Sequence, residues 1–400
     1  MSCGYVRNST PATALGDPCE ETRLNRCHVY DGGVKTLYPS LFLCLTACGD
    51  DTHSDTGTST STDDTGTSTS TDDTGTTDTD PACETPTVTF TSTDGAVNDL
   101  TSFFESGEYL TLGLDGTLSV CPGTWFSRVL IRANVNVVGL GASPADTILS
   151  GGESGTILDV LGPDVALDVS NVTLDRGAGL DVEHNSGGGG IYCEQQGLVT
   201  VRDAVFSNNF ANDGSGIYTQ YCTVDLSNTT FRDNVSEDDG GAITLWFSSA
   251  TLDQVTVENN QALDGGAMAM FTSDATITNS WFEGNTASIF AAGIWVNDSS
   301  ITLTDSTITG NVNTGNDHAG GLLVHGDATL TNVTFTQNEA PLGGGLYVFY
   351  GATVSGTSCG FSGNSPEDIY VDDGSAGQGE SITASGDYSF TCADNACTEL

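Results

Sequence analysis

Three groups of side chains in this sequence have the type and spacing to do chemistry. The first is acid beside base. A polysaccharide lyase needs a strong base, arginine or lysine, next to acids that bind calcium. The sequence offers the doublets Asp175-Arg176, Arg202-Asp203 and Arg232-Asp233. None of them stands in an acidic cluster with further bases, so Asp175 and Arg176 are the catalytic candidates of a weaker, enzymatic expectation. The second group is Asp213, Asp239 and Asp264, which recur at nearly equal spacing, with Asp238 and Asn212 adjacent to two of them. If that spacing stacks them, like charges about 5 Å apart repel, and calcium, a hard cation with oxygen ligands, would relieve the repulsion. Asp before Gly also makes a good turn, which accounts for the same residues without an ion. The third group is cysteine and histidine. After Cys48 the cysteines are Cys83, Cys121, Cys193, Cys222, Cys359, Cys392 and Cys397, an odd number with no zinc-like CxxC pair. In an exported chain they read as disulfides, with at least one left over. His184, His318 and His325 are not arranged with Ser or Cys as a triad and read as solvated loop residues.

These side chains are positioned by an internal repeat with a period of roughly 26 residues, within the range of a stacked structural unit. A small-residue element ending in an aliphatic recurs as GGGI at Ile191, GSGI at Ile217, GGAI at Ile243, GGAM at Met268, AAGI at Ile294, AGGL at Leu322 and GGGL at Leu346. A second element, F-x-x-N, follows each by about half a period: Phe206/Asn209, Phe231/Asn234, Val257/Asn260, Phe282/Asn285, Ile308/Asn311, Phe335/Asn338 and Phe361/Asn364. Between them lies a short alternating run such as Thr223-Val224-Asp225-Leu226. Three stretches of period two per repeat, punctuated by Gly, Asn and Asp, exclude a helical repeat of this length. They predict an all-β coil, a single-stranded parallel β-helix of about ten turns with three short strands per turn, stacked at about 4.8 Å. Phe and the aliphatics then form inward columns. Asn209, Asn234, Asn260, Asn285, Asn311, Asn338 and Asn364 form an internal ladder. The residue before each Asn favours left-handed backbone except Gln337. Cys193 and Cys222 fall on consecutive turns and can staple them. Carboxylates on neighbouring turns approach the separation of a retaining glycosidase pair, and a chain this acidic makes such pairs by accident.

With those motifs in hand, the alternation of GGA[ILV] and FxxN over about residues 187–365 resembles the repeat of chlamydial polymorphic outer membrane proteins. The coil resembles the right-handed parallel β-helix of the pectate lyase-like superfamily. Cys121-Pro122-Gly123-Thr124-Trp125, Asn134 to Gly139 and Asn171 to Leu174 are similar to that superfamily's first turns. The resemblance implies architecture and leaves the activity open. Hydrolases of the superfamily rely on Asp-Asp, Gly-His-Gly and Arg-x-Lys elements, whereas this sequence has no Gly-His-Gly and no lysine after Lys35.

The N-terminal part reads as delivery. Lys35 precedes the apolar run Leu37 to Leu45, interrupted by Pro39 and Ser40, which is a secretory signal too short to span a bilayer. It ends in Leu45-Thr46-Ala47-Cys48, which resembles a bacterial lipobox and makes Cys48 the lipidated residue. Residues 1–33 contain no apolar segment and would delay the signal, so the expected start is Val34 and the expected signal 34–47. Residues 48–82 are an Asp/Thr/Ser/Gly linker containing DTGTSTSTD at Asp55 and Asp64; it has almost nothing to bury and is expected to be disordered. Residues 83–400 are then the β-helix with its caps, a helix from Asn98 to Phe104 with Asn98 as N-cap at one end and residues 375–400 at the other.

Composition bounds the partners. The chain of 400 residues has 53 Asp and Glu against 9 Lys and Arg, a net charge of −44. Loss of residues 1–47 would leave that charge unchanged. Nucleic acid is excluded as a main partner, because affinity for phosphates comes from Lys and Arg displacing counterions. Anionic lipid headgroups are disfavoured for the same reason, leaving the lipid anchor as the route to a membrane. The expectation is a lipid-anchored protein of the bacterial outer membrane or cell surface with a binding, adhesion or envelope-structural role. Its partner would be a glycan or a cell-surface protein, met by Tyr218, Trp246, Trp295 and Tyr347, positions where an aromatic serves equally as partly buried core. The alternative is a carbohydrate-active enzyme. Calcium is the one cofactor considered.

Overall fold

The computed structural model describes residues 83–179, 187–316, 318–374, 379–384 and 387–400, all within one compact unit, Asp72–Leu400. The export signal, Cys48 and the linker lie outside the described residues, as does His184. No helix among the described residues is long and apolar enough to cross a membrane.

Apolar residues at every second position put one side of each strand inward, and the repeat period brings the same position round on every turn. The result is an all-β parallel β-helix of about nine turns. Small-residue strands make one lateral sheet, running from Leu110–Leu112 and Val129–Ile131 through Ile191–Glu194, Ile217–Gln220, Ile243–Trp246 and Met268–Phe271 to Leu346–Val348 and Ile369–Asp372. Ile191, Ile217, Ile243, Met268 and Ile294 pair directly with one another. The FxxN column does the same, Phe206 on Phe231, Val257, Phe282, Ile308, Phe335 and Phe361. All these side chains are buried in one continuous core, each contributing about 1.5–3 kcal/mol of transfer free energy.

On two turns the two sequence motifs are two halves of one contact. A Cβ on Gly190 would lie 2.7 Å from the Phe206 ring, and one on Gly216 would lie 2.7 Å from the Phe231 ring. On these two turns the glycine before the aliphatic is the space into which the phenylalanine of the same turn packs; before Ile243 and Met268 the small residue is Ala242 and Ala267.

The asparagines line a second internal column. Each Nδ2 donates to the Oδ1 of the next: Asn209 to Asn234 at 2.9 Å, Asn234 to Asn260 at 2.9 Å, Asn260 to Asn285 at 3.0 Å and Asn285 to Asn311 at 2.9 Å. The column continues through Asn338 to Asn364, both steps at 3.0 Å. Each Oδ1 from Asn234 onward also accepts the backbone N–H of the preceding asparagine, as at Asn260, so the buried amides are satisfied. The ladder ends on Asp368, which accepts from Asn364 Nδ2 at 2.9 Å. Two shorter ladders are built from serine. Ser248, Ser273 and Ser299 take the backbone N–H of Cys222, Ser248 and Ser273; Ser280 and Ser306 take those of Val255 and Ser280.

Left-handed backbone marks the corners. Before the asparagines it is adopted by Asn208, Asp233, Asn259, Gly284, Gly310 and Gly363, and also by Gln337 at φ 55°. The departure at Gln337 is thus one of residue type only, because the stacked corner imposes its φ on whatever residue arrives there.

Both ends are closed by antiparallel pairing, which protects the edges from templating further strands. Val88–Ser92 pairs antiparallel with Gly116–Val120. The helix beside it spans Thr101–Ser106 and buries Phe104, and its N-cap is Leu100. Asn98, expected as the cap, instead pairs with Phe90 in a strand, and Asp99 Oδ1 accepts the Thr101 N–H at 2.9 Å. At the other end Gly379–Ile382 and Asp387–Ala393 pair antiparallel with Ile369–Asp372 and Thr353–Ser362. Disulfides join Cys83 to Cys121, Cys193 to Cys222 on consecutive turns, and Cys392 to Cys397 in the last hairpin. Among the described residues Cys359 is the free thiol; it is buried, and burial pushes its pKa up.

Candidate functional site

Asp175 closes the strand Thr173–Asp175, and Arg176 follows it in left-handed backbone at φ 50°. The carboxylate accepts from Arg176 Nε at 3.0 Å, Ser207 Oγ at 2.8 Å and Asn208 Nδ2 at 2.8 Å. Arg176 borders a surface pocket with Glu153, Asn208 and Phe210. One further acid is not the cluster a calcium-dependent lyase requires. Of the other doublets one separates and one holds: Arg202 bonds Asp168 one turn away rather than Asp203, Asp203 accepts from Asn228 at 2.5 Å, and Arg232 pairs with Asp233 at 3.7 Å on the exposed surface.

Asp213, Asp239 and Asp264 occupy one column at the start of the small-residue corner, where Asp239 bridges Asp264 and Asp213 bridges Gly187. The oxygens of Asp213, Asp238 and Asp239 lie within 4.8 Å of one another. Asp264 is outside that group, and its Oδ1 accepts the Phe290 N–H at 2.9 Å. The column also does turn work: Asp213 Oδ1 accepts the Asp239 N–H at 3.2 Å and its Oδ2 accepts from Asn212 at 3.1 Å. After Asp264 the same position is held by Phe290, His318 and Leu342, so the acidic stretch is confined to three turns. His318 is half-buried and stacks on Tyr347 at 4.3 Å, and His325 sits in a strand with Nδ1 2.9 Å from Asn297 Oδ1. The solvated-loop reading is corrected for both.

The outward side of the small-residue sheet carries aromatics in clusters distinct from the interior core. Tyr192 and Tyr218 pack with Leu130 and Leu161, and Trp295 and Tyr347 pack with Phe271, Leu323 and Tyr370. Tyr192 stacks on Tyr218 at 5.3 Å, Trp246 on Phe271 at 4.1 Å and Tyr347 on Tyr370 at 5.1 Å. Burial, with Glu194 and Asp159 nearby, holds the Tyr192 hydroxyl well above the usual phenol range. Tyr218 is shifted the same way by burial and then by Asp213. The expectation that Tyr218, Trp295 and Tyr347 meet a ligand directly is therefore corrected. They are buried, and only Trp246 is half-exposed.

Two accessible rings, comparable in exposure to Tyr109, Phe126, Trp281 and Tyr350, lie beyond the small-residue strands, at the corner with the middle strand. Tyr221 is 51% exposed and Phe247 45% exposed. Their rings stack at 5.1 Å with 14° between planes, and both residues have left-handed backbone, φ 60° and 46°. Cys222, next to Tyr221, is held by the disulfide to Cys193. Sequence inspection missed this pair because it centred on the small-residue strands. The available signal was the repeat phase: Tyr221 and Phe247 stand one full period apart, where the equivalent corner on the next turns carries Thr272 and Asp298.

Comparison with curated proteins gives no match. Among solved structures the chain is similar to PfbA, a surface adhesin of Streptococcus pneumoniae, at 10% identity and TM-score 0.30, covering 75% of this chain and 92% of that one. It is also similar to the A-module of the mannuronan C-5 epimerase AlgE6 of Azotobacter vinelandii, at 13% identity and TM-score 0.28, covering 64% and 90%. Residues 167–324, the stretch that holds the first five asparagines of the ladder, match the family model for a right handed beta helix region, and there the chain carries that family's fold.

Proposed function

We propose that this is a lipid-anchored surface protein that binds rather than transforms its partner, in adhesion or envelope organisation. Cys48 holds the membrane, residues 48–82 act as a spacer and the coil presents its lateral faces. The observation that carries the reading is the exposed, stacked Tyr221–Phe247 pair on a coil whose acid-base doublets stand apart from one another. Concave catalytic sites gather perturbed acids and bases in a cleft. Here the Asp175 carboxylate is tied up by three donors at the surface.

The second reading, a carbohydrate-active enzyme, is favoured by the pocket that Arg176 shares with Glu153. Calcium belongs to either reading at Asp213, Asp238 and Asp239, as an ion that relieves their mutual repulsion. One experiment separates them: the protein is given a broad polysaccharide panel with and without calcium, reducing ends and unsaturated products are measured, and whole-cell binding is scored in parallel. Binding without turnover is the expected result. Turnover abolished by Arg176→Ala would replace the binding reading with the enzymatic one. A melting temperature unmoved by calcium would remove the ion from both.

A further inference from the structure

Resting on the binding reading, we infer that the Tyr221–Phe247 corner is a stacking site for an uncharged pyranoside chain. Two features of the corner are unfavourable for the fold itself. Bulky residues with positive φ are outliers that cost of order 1–2 kcal/mol each, and among the described residues with positive φ these two are the aromatic ones, the same corner passing to Thr272 and Asp298 on the next turns. Tyr221 and Phe247 also leave about half of each ring in water, so burial returns little of that cost. Strain concentrated in exposed residues points outward, to a ligand.

The chemistry around the rings selects the ligand. Two residues beyond each ring, on the same outward side of the chain, stand the exposed hydroxyls of Thr223 and Ser249, 3.2 Å from each other. Gln220 precedes Tyr221 and adds a half-exposed amide. A pyranose ring presents a face of C–H groups to an aromatic ring and a rim of hydroxyls to neutral donors and acceptors, and this corner offers both. The rings stack on each other one coil rung apart, 5.1 Å, and the faces they leave uncovered, with their edges, make one apolar step beside the hydroxyls. Charge selects against the polyanions: the net charge is −44, and Glu194 and Asp225 flank the corner on adjoining strands. Uronates and sulfated glycans are repelled.

The test is isothermal titration of the full chain with cellohexaose and maltohexaose as neutral probes and hexagalacturonate as the anionic one. The expected result is binding of at least one neutral probe and none of the hexagalacturonate. Tyr221→Ala with Phe247→Ala should weaken it by about tenfold or more, while Tyr221→Phe, which keeps the ring, changes it about twofold or less. Unchanged melting shows that the double variant is folded; if it is not, Tyr221→Asn alone must still lose affinity. The inference is overturned if hexagalacturonate binds as well as the neutral probes, if neither neutral probe binds, or if the ring variants bind like the parent. Whole-cell binding that survives those failures, and the loss of both rings, leaves the binding reading standing with a partner other than a neutral glycan.

Discussion

The corner before each asparagine and the corner that carries Tyr221 are built to different ends. Both require left-handed backbone, as at Asn208 and Asn259 on one and Tyr221 and Phe247 on the other. The first turns that requirement inward: the next residue is an asparagine with every amide group bonded, fully buried at Asn234, Asn260, Asn285 and Asn311. The second turns it outward and leaves two rings exposed. A coil needs each turn to match its neighbours, and the asparagine corner serves that match. The aromatic corner places backbone strain where the coil gains least. The difference teaches that stability in this molecule lies inside the corners, and the proposed recognition site lies outside them.

The largest expected effect tests the first half of that contrast. Asn285→Ala removes the acceptor of the Asn260 backbone N–H and Nδ2, and strips Asn311 Oδ1 and the Val257 carbonyl of a donor. Several buried polar groups lose partners at once, so urea unfolding should show a loss of about 2–4 kcal/mol. Because each turn touches only its neighbours, the damage should also lower cooperativity, splitting one transition into two. A loss below about 1 kcal/mol would mean that water or rearranged neighbours replace the ladder, and the contrast between corners would lose its first term.

How much of this is legible in the sequence follows from the same physics. Period, inward columns and the asparagine ladder are readable because stacking repeats one residue type at one phase. The Cys193–Cys222 staple is readable for the same reason. The serine ladders are equally periodic, Ser248, Ser273 and Ser299, but serine is common in this chain and its signal sinks into the background. Side-chain partners are less legible than positions. Arg202 reaches across a turn to Asp168 instead of its neighbour Asp203, because Asp203 stands at a left-handed corner and takes Asn228 of the next turn as its partner. Whether Tyr218, Trp295 and Tyr347 are buried stays open in the sequence because the outward side of a sheet is normally wet, and here stacking between turns covers one ring with the next. The candidate stacking site is hidden by its position at a corner, where small or polar turn residues are the rule.

A smaller effect tests the second half. Tyr221→Asn with Phe247→Asn replaces strained bulky residues by one that tolerates left-handed backbone. The lost ring pair is worth about 0.5–1.5 kcal/mol, which relief of strain at two positions offsets or exceeds. Urea unfolding should therefore give stability equal to the parent or higher by up to about 1 kcal/mol. A drop of more than about 1 kcal/mol would make the rings structural and collapse the distinction between the two corners.

The smallest effect concerns the end of the coil, where a glutamate is buried, as Asp239 and Asp368 also are. Glu367 is buried and accepts the Gly343 N–H. Burial raises its pKa, the Gly343 bond lowers it in part, and neighbouring Asp368 raises it further. A carboxyl whose folded pKa lies above its unfolded value favours the folded state in its protonated form. The stability it contributes is complete below the ordinary glutamate range and is lost as pH rises through the raised value. Glu367→Gln keeps an oxygen for the Gly343 N–H and cannot ionise. Its melting temperature should match the parent near pH 4 and exceed it at pH 7 by about 1–2 °C. Reading the difference between variant and parent cancels the titration of the chain's many other acids. A difference that stays flat from pH 4 to pH 7 would mean that Glu367 is hydrated and ionises freely, and that the coil tolerates charge inside its last corner as readily as outside it.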